Sequence, residues 1–152
     1  MMVCVVGSME IKELGHVVLY VTNLELVGSF YRDVLGFHVA AFQQGMMAFS
    51  GGRTHHELLL IEVGGEKQKR GVKPGLYHIG FKIGTSKEEL KDAITVLERK
   101  GKPIAGFADH YVTNSVYTMD PDGNEVELYV DVSDEWKYDP SVIMRPTRKL
   151  TF

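Results

Sequence analysis

Leu14-Gly15-His16-Val17-Val18-Leu19-Tyr20-Val21 and Leu76-Tyr77-His78-Ile79-Gly80-Phe81-Lys82-Ile83 are two runs of one shape, each with a histidine in third place, 62 residues apart. Both are rich in β-branched and aromatic residues, the composition of a strand. The same pattern met twice at a fixed interval marks an internal repeat, so the chain is expected to be two copies of one unit.

The residues around each run extend the match. After the first, Leu24, Val27, Tyr31 and Val34 fall at helical spacing and Gly36 stands where a helix would stop, which predicts about three turns. After the second, Ser86-Lys87-Glu88-Glu89 has the form of a capping box, Leu90, Ile94 and Leu97 carry the apolar stripe, and Gly101 ends it. Three strand-like stretches follow each helix: Phe37 to Ala41, Met46 to Phe49 and Glu57 to Val63, then Pro103 to Phe107, Ser115 to Met119 and Glu125 to Val130. The order is βαβββ, repeated, which predicts an α+β fold. A four-stranded sheet with one helix keeps a bare apolar face, so the two units are expected to bury those faces together.

The chain of 152 residues is thus expected to form a single domain over 9–135. Module one covers 9–66, a polar linker 67–73, and module two 74–132. Residues 133–152 read as an irregular extension, in which Trp136 is expected to anchor the segment or roof a pocket. Residues 1–8 read as a disordered or added N-terminus, because Gly7-Ser8-Met9 looks like a junction before a second start.

Composition narrows the partners. Seventeen Lys and Arg against twenty Asp and Glu give a net charge of −3 without a run of five like charges, so neither nucleic acid nor an anionic membrane is expected to bind. Cys4 is the single cysteine, which excludes a disulfide framework or multi-thiolate metal site and fits a reducing cytoplasm. The early apolar run Val3 to Val6 falls far short of the ~20 residues of a membrane span. A small molecule or another protein is the expected partner.

His16 and His78 hold equivalent places, so packing of the units about a pseudo-twofold would bring them together. A carboxylate can join them from the segment Asp120-Pro121-Asp122-Gly123-Asn124, a turn, followed by the strand Glu125 to Val130. Alternation puts Glu125, Glu127 and Tyr129 on one face, with Glu127 the deeper carboxylate. His16, His78 and Glu127 would form a 2-His-1-carboxylate triad with three open positions, a set suited to non-haem Fe(II) and oxygen chemistry, with Mn(II) fitting the same ligands. His38 is read as structural.

From Ile11 to about Val132 the chain resembles the vicinal oxygen chelate superfamily of glyoxalase I, fosfomycin and bleomycin resistance proteins and type I extradiol dioxygenases. Within it, Ala108 to Tyr129, with His110 and Tyr117 ahead of the Asp-Pro-Asp-Gly-Asn turn, looks most like catechol 2,3-dioxygenases. The resemblance implies paired βαβββ modules forming a curved mixed sheet around a metal-binding cleft. It implies Fe(II), or Mn(II), held by His16, His78 and Glu127. His56, in Thr54-His55-His56-Glu57-Leu58-Leu59-Leu60, would be the acid/base, with His55 its outward neighbour. His110 and Tyr117 would line the substrate site. The substrates would be a catechol-type aromatic diol and O2, and a cytoplasmic homo-oligomer is expected.

Alternation lets only one of His56 and Glu57 face the cleft. If Glu57 does, it could supply the fourth ligand of a glyoxalase I- or epimerase-like lyase or isomerase. A metal-free small-molecule binding or resistance protein is the third reading. Tyr111 departs from the resemblance, standing after His110 where ring-cleaving relatives usually have Gly, and is expected to add bulk at the cleft.

Overall fold

The computed structural model describes residues 9–67 and 69–152; the expectation for residues 1–8 lies outside the described residues. Unit one runs β1 (Val17–Val21), α1 (Leu24–Ser29), a π-helical turn (Phe30–Val34), β2 (His38–Gln43), β3 (Met46–Ser50) and β4 (Leu58–Glu62). Unit two runs β5 (His78–Gly84), α2 (Lys87–Arg99), β6 (Ile104–Asp109), β7 (Thr113–Met119) and β8 (Glu125–Asp131). The repeated βαβββ order and the α+β class are present. Each unit forms a four-stranded mixed sheet with the same path, β1-β4-β3-β2 and β5-β8-β7-β6, its first strand parallel to its last.

Local chemistry sets the helix boundaries. Ser86 caps α2 by accepting the Glu89 N–H, while the Glu89 carboxylate accepts from the Ser86 and Thr85 amides. This is the reciprocal box the sequence spelled out. In unit one, the Asn23 side chain accepts the Leu26 N–H at 2.7 Å, and Glu62 accepts from Leu24 N–H. The expected three-turn helix divides after Ser29, where i→i−5 bonds such as Leu35 N–H to the Phe30 carbonyl widen the coil. Apolar spacing tolerates that extra residue, so periodicity alone does not reveal it. Gly36 then takes φ +79°, as the stop signal requires.

The core lies on one face of each sheet. Leu19, Val21, Met47, Phe49, Leu58 and Leu60 pack with Leu24, Val27, Phe30 and Tyr31 of the first helical segment; Ile79, Val116, Val126, Leu128 and Val130 pack with Leu90 and Leu97 of α2. The two clusters join where Tyr31 and Phe37 meet Phe81, at ring-centroid distances of 6.5 and 5.0 Å. Three hydrogen bonds stitch the units, Tyr31 Oη to Asp120 at 3.0 Å and the Thr22 N–H and hydroxyl to Asp122 at 2.7 and 2.6 Å.

The expectation that the units press bare sheet faces together is therefore corrected. Each helix covers its own sheet's apolar face, and the units meet where Tyr31 and Phe37 of one touch Phe81 and Asp120 of the other, leaving the opposite sheet faces open. β1 and β5 are both edge strands, and among the described residues no ladder joins them. They instead line one cleft of about 960 Å3.

The C-terminal segment is more ordered than the word irregular implies. It forms two short 3-10 turns, Glu135–Lys137 and Pro140–Met144, and closes an antiparallel bridge between Arg148 and Asp109. Buried Val142 and Leu150 anchor it. Trp136 does not: the residue is 46% exposed, with the Lys137 ammonium 5.7 Å from its ring centroid.

Candidate functional site

Alternation in unit two sends Val126, Leu128 and Val130 inward and Glu125, Glu127 and Tyr129 to the open face. Register then sets their neighbours. In the parallel β5–β8 ladder His78 is opposite Glu125 and Gly80 opposite Glu127; across β7 Tyr117 is opposite Glu127 and Ser115 opposite Tyr129. The open face thereby gathers His78, Glu125, Glu127, Ser115 and Tyr117, with His110 arriving from the β6–β7 turn.

Within this group His78 Nε2 is 3.1 Å from Glu127 Oε2. Glu127 Oε1 accepts from Ser115 Oγ at 2.6 Å and Tyr117 Oη at 3.1 Å. The phenol has one proton and gives it to Glu127, so it accepts from His110 Nε2–H at 2.9 Å. Burial, then the Glu127 charge, pushes the Tyr117 phenol well above its ordinary value. Tyr117 therefore stands protonated here, a hydrogen-bond donor rather than a base.

Gly80 makes room for this arrangement. A Cβ there would stand 3.2 Å from Glu127 Oε2, tighter than ordinary van der Waals contact. The small residue between His78 and Lys82 thus belongs to the site, although no motif in the sequence marks it.

The first unit carries a separate histidine group. β1 starts at Val17 and β4 at Leu58, so His16, His55 and His56 sit just ahead of their strands, and strand alternation does not govern them. This corrects the placement of His16 on the opening strand; His55 is exposed beside the half-buried His56, outward as expected although it precedes the strand. The His16 and His56 rings are 4.4 Å apart, and His55 Nδ1 approaches His56 Nδ1 to 2.6 Å. Partial burial, then the charges that His16 and His55 can carry, lowers the His56 pKa and keeps it neutral.

Glu57 does not act as a free carboxylate. It accepts the Gly51 N–H at 2.9 Å, and its other oxygen is 3.7 Å from the Arg53 guanidinium. The two ladders add a stricter test. Val17 pairs with Leu58 as Ile79 pairs with Val126, so the unit-one counterpart of Glu127 is Leu59. An aliphatic side chain stands where a symmetric fourth ligand would.

His78, Glu127, Tyr117 and His110 are thus brought together, and His16 and His56 form their own group. Among the described residues, no cluster of three or more His, Cys, Asp or Glu side chains is arranged to hold a metal ion. His16 does line the β1–β5 cleft, together with Gly80 and Tyr129.

The His78–Glu127 pair fits a divalent ion on its own geometry. Two ligands at right angles, each about 2.1 Å from an ion, stand about 3.0 Å apart. His78 Nδ1 is buried without a hydrogen-bond partner, 3.6 Å from Glu125 Oε1. A ligating histidine turns its other nitrogen to such a carboxylate, which keeps Nε2 free for the metal.

Tyr111 does not crowd this group as expected. Its φ is +69°, its N–H donates to Asp109 Oδ1 at 2.8 Å, and the Arg148 and Arg145 guanidinium groups lie 3.9 and 5.4 Å from its ring centroid. No helix among the described residues is long and apolar enough to cross a membrane.

Comparison with known proteins gives a consistent family. The sequence profile described as "Glyoxalase/Bleomycin resistance protein/Dioxygenase superfamily" matches residues 13–128. The chain is 35% identical over 120 residues to biphenyl-2,3-diol 1,2-dioxygenase 3 of Rhodococcus globerulus, a match covering 78% of this chain and 63% of that one. It is 33% identical over 129 residues to catechol-2,3-dioxygenase of Bacillus subtilis, covering 80% of this chain and 42% of the relative. This chain thus spans less than two thirds of either dioxygenase. Among solved structures, lactoylglutathione lyase from Agrobacterium tumefaciens superimposes with a TM-score of 0.58 at 26% identity, covering 76% of this chain and 90% of that one.

Proposed function

The chain belongs to the glyoxalase/bleomycin resistance protein/dioxygenase superfamily, and within it we propose an extradiol ring-cleaving dioxygenase that acts on a catechol-type aromatic with O2 at a non-haem Fe(II) site. The observation that carries the reading is the open-face group in which His78 Nε2 and Glu127 Oε2 stand at cis-ligand distance, with Tyr117 and His110 hydrogen-bonded in line behind them. The similarity to two ring-cleaving dioxygenases supports it.

His78 and Glu127 would hold the ion, with His16, which lines the same cleft as Gly80, as the third ligand. Fe(II), when bound, supplies Lewis acidity and a path for electrons between an electron-rich ring and oxygen; Mn(II) fits the same donors. The chain's own residues then position and protonate. Ser115 fixes the Glu127 carboxylate, and Glu125 faces His78 Nδ1. Tyr117, held protonated, donates to the Glu127 carboxylate beside the substrate site, and His110 orients the phenol by donating Nε2–H to it. His56, held neutral, takes a substrate hydroxyl proton and returns it during cleavage.

A glyoxalase-like lyase with a fourth carboxylate is the weaker reading, because Leu59 stands in the equivalent position and Glu57 is engaged by Gly51 and Arg53. Anaerobic reconstitution with Fe(II), followed by oxygen and a panel of catechols, tests the proposal. A yellow ring-cleavage product with matching oxygen uptake is expected. Metal binding with turnover of an oxygen-independent lyase substrate, and none with catechols, would overturn it.

A further inference from the structure

His110 is reached from two sides. Its Nε2 bonds Tyr117 within the open-face group, while its Nδ1 is 3.2 Å from Thr147 Oγ1, a residue of the C-terminal segment. The proton count assigns the roles. Tyr117 gives its proton to Glu127, so His110 carries hydrogen on Nε2, and the remaining lone pair on Nδ1 accepts from the Thr147 hydroxyl. A threonine 37 residues further on thereby completes the hydrogen bonding of one tautomer.

The segment that brings Thr147 there is tied to the turn that bears His110. Arg148 and Asp109 exchange backbone hydrogen bonds of 2.9 and 3.0 Å, and Arg148 Nη2 adds a 2.9 Å bond to the Asp109 carboxylate. Next to His110, Tyr111 holds a left-handed backbone that side-chain-bearing residues rarely adopt, and its ring lies against Arg148 and Arg145. Such strain persists only where surrounding contacts over-determine it. A glycine would satisfy the backbone here but would offer no ring to the arginines.

We propose that residues 145–148 act as a clasp on His110, with Thr147 the positioning residue that holds the ring where its Nε2–H meets the Tyr117 oxygen, and so keeps that tautomer, and Tyr111 the post to which the clasp is tied. The clasp rests on the reading above only for its effect on turnover; the tautomer itself is a property of the metal-free chain.

The test uses the full chain, labelled with 15N-histidine and free of metal, at about pH 8, above the ordinary histidine pKa of ~6.5. Nitrogen–proton correlation spectra should show His110 protonated on Nε2 in the parent and in Thr147→Ser, and a mixture of tautomers in Thr147→Val. In the Fe(II)-loaded protein, Thr147→Val should lower kcat on a catechol about threefold to tenfold at unchanged KM, the scale of one neutral hydrogen bond, and Thr147→Ser should restore it. Tyr111→Gly should keep the fold and speed exchange of the Arg148 amide about tenfold or more.

A Thr147→Val protein with the parent tautomer and the parent kcat overturns the clasp and leaves the ring-cleavage reading intact. The expected spectra in a chain that turns over no catechol support the clasp and overturn that reading. Unchanged Arg148 exchange in Tyr111→Gly removes the post.

Discussion

Glu127 bridges two groups that no sequence interval connects: one carboxylate oxygen is 3.1 Å from His78 Nε2, and the other accepts hydrogen bonds from Ser115 and Tyr117. One oxygen is thus left for a cation while the other is fixed. Glu127→Gln replaces an anionic ligand by a neutral amide and should abolish stoichiometric Fe(II) binding, read by metal analysis after desalting. Glu125→Gln, which alters only the carboxylate facing His78 Nδ1, should weaken binding about 10- to 100-fold in a calorimetric titration.

His56 stands beside His16 without being one of the three residues that would hold the ion, so its substitution separates proton transfer from metal retention. His56→Ala should retain iron and lower kcat about 100-fold or more, the low end of what a positioned acid/base contributes. Turnover at the parent rate would remove His56 from that role.

At Gly80, space rather than backbone freedom is at issue. The added methyl of Gly80→Ala would meet Glu127 Oε2 at 3.2 Å and displace the carboxylate by a few tenths of an ångström. Metal affinity should fall while the melting temperature stays within a few degrees of the parent, a combination measured by calorimetry and circular dichroism.

Asp120 links the units, accepting from Tyr31 Oη, Asn124 and Asp122 while only 4% exposed. Burial raises its pKa above the ordinary 3.8. The folded state then holds this proton more tightly than the unfolded state, so the contribution of Asp120 is fullest below 3.8 and is lost as pH rises through the raised value. Urea denaturation across that window should show the slope in the parent and its loss in Asp120→Asn. Tyr31→Phe, which removes a buried donor, should cost about 1–3 kcal/mol.

The capping box behaves with the opposite sign. Hydrogen bonds from Thr85 and Ser86 hold Glu89 below its ordinary 4.5, so its stabilisation is present above 4.5 and lost as pH falls through the lowered value. Ser86→Ala should cost about 0.5–2 kcal/mol near neutral pH. Thermal melts of Glu89→Gln and the parent should converge in acid.

The sequence by itself determined the repeat, the α+β class, the capping box and the face on which Glu125 and Glu127 lie, because each follows from spacing along one continuous element. His78 with Glu127, and His110 with Tyr117, were legible as candidates because the strand pattern and the family resemblance both marked them. Periodicity did not show the π-helical turn at Phe30, since one extra residue in a coil barely disturbs an apolar stripe. His55 and His56 precede β4 and are free of its pleat, so the exposed and half-buried places they take are set by the loop and not by strand alternation. Only the tertiary structure decided that the helices cover the inner faces and leave open the face that carries His78 and Glu127, that Leu59 fills the unit-one place equivalent to Glu127, and that Thr147 reaches His110. Those three depend on which strands pair, in what register, and where a chain end returns, and such contacts between distant segments are set by packing rather than by any interval in the chain.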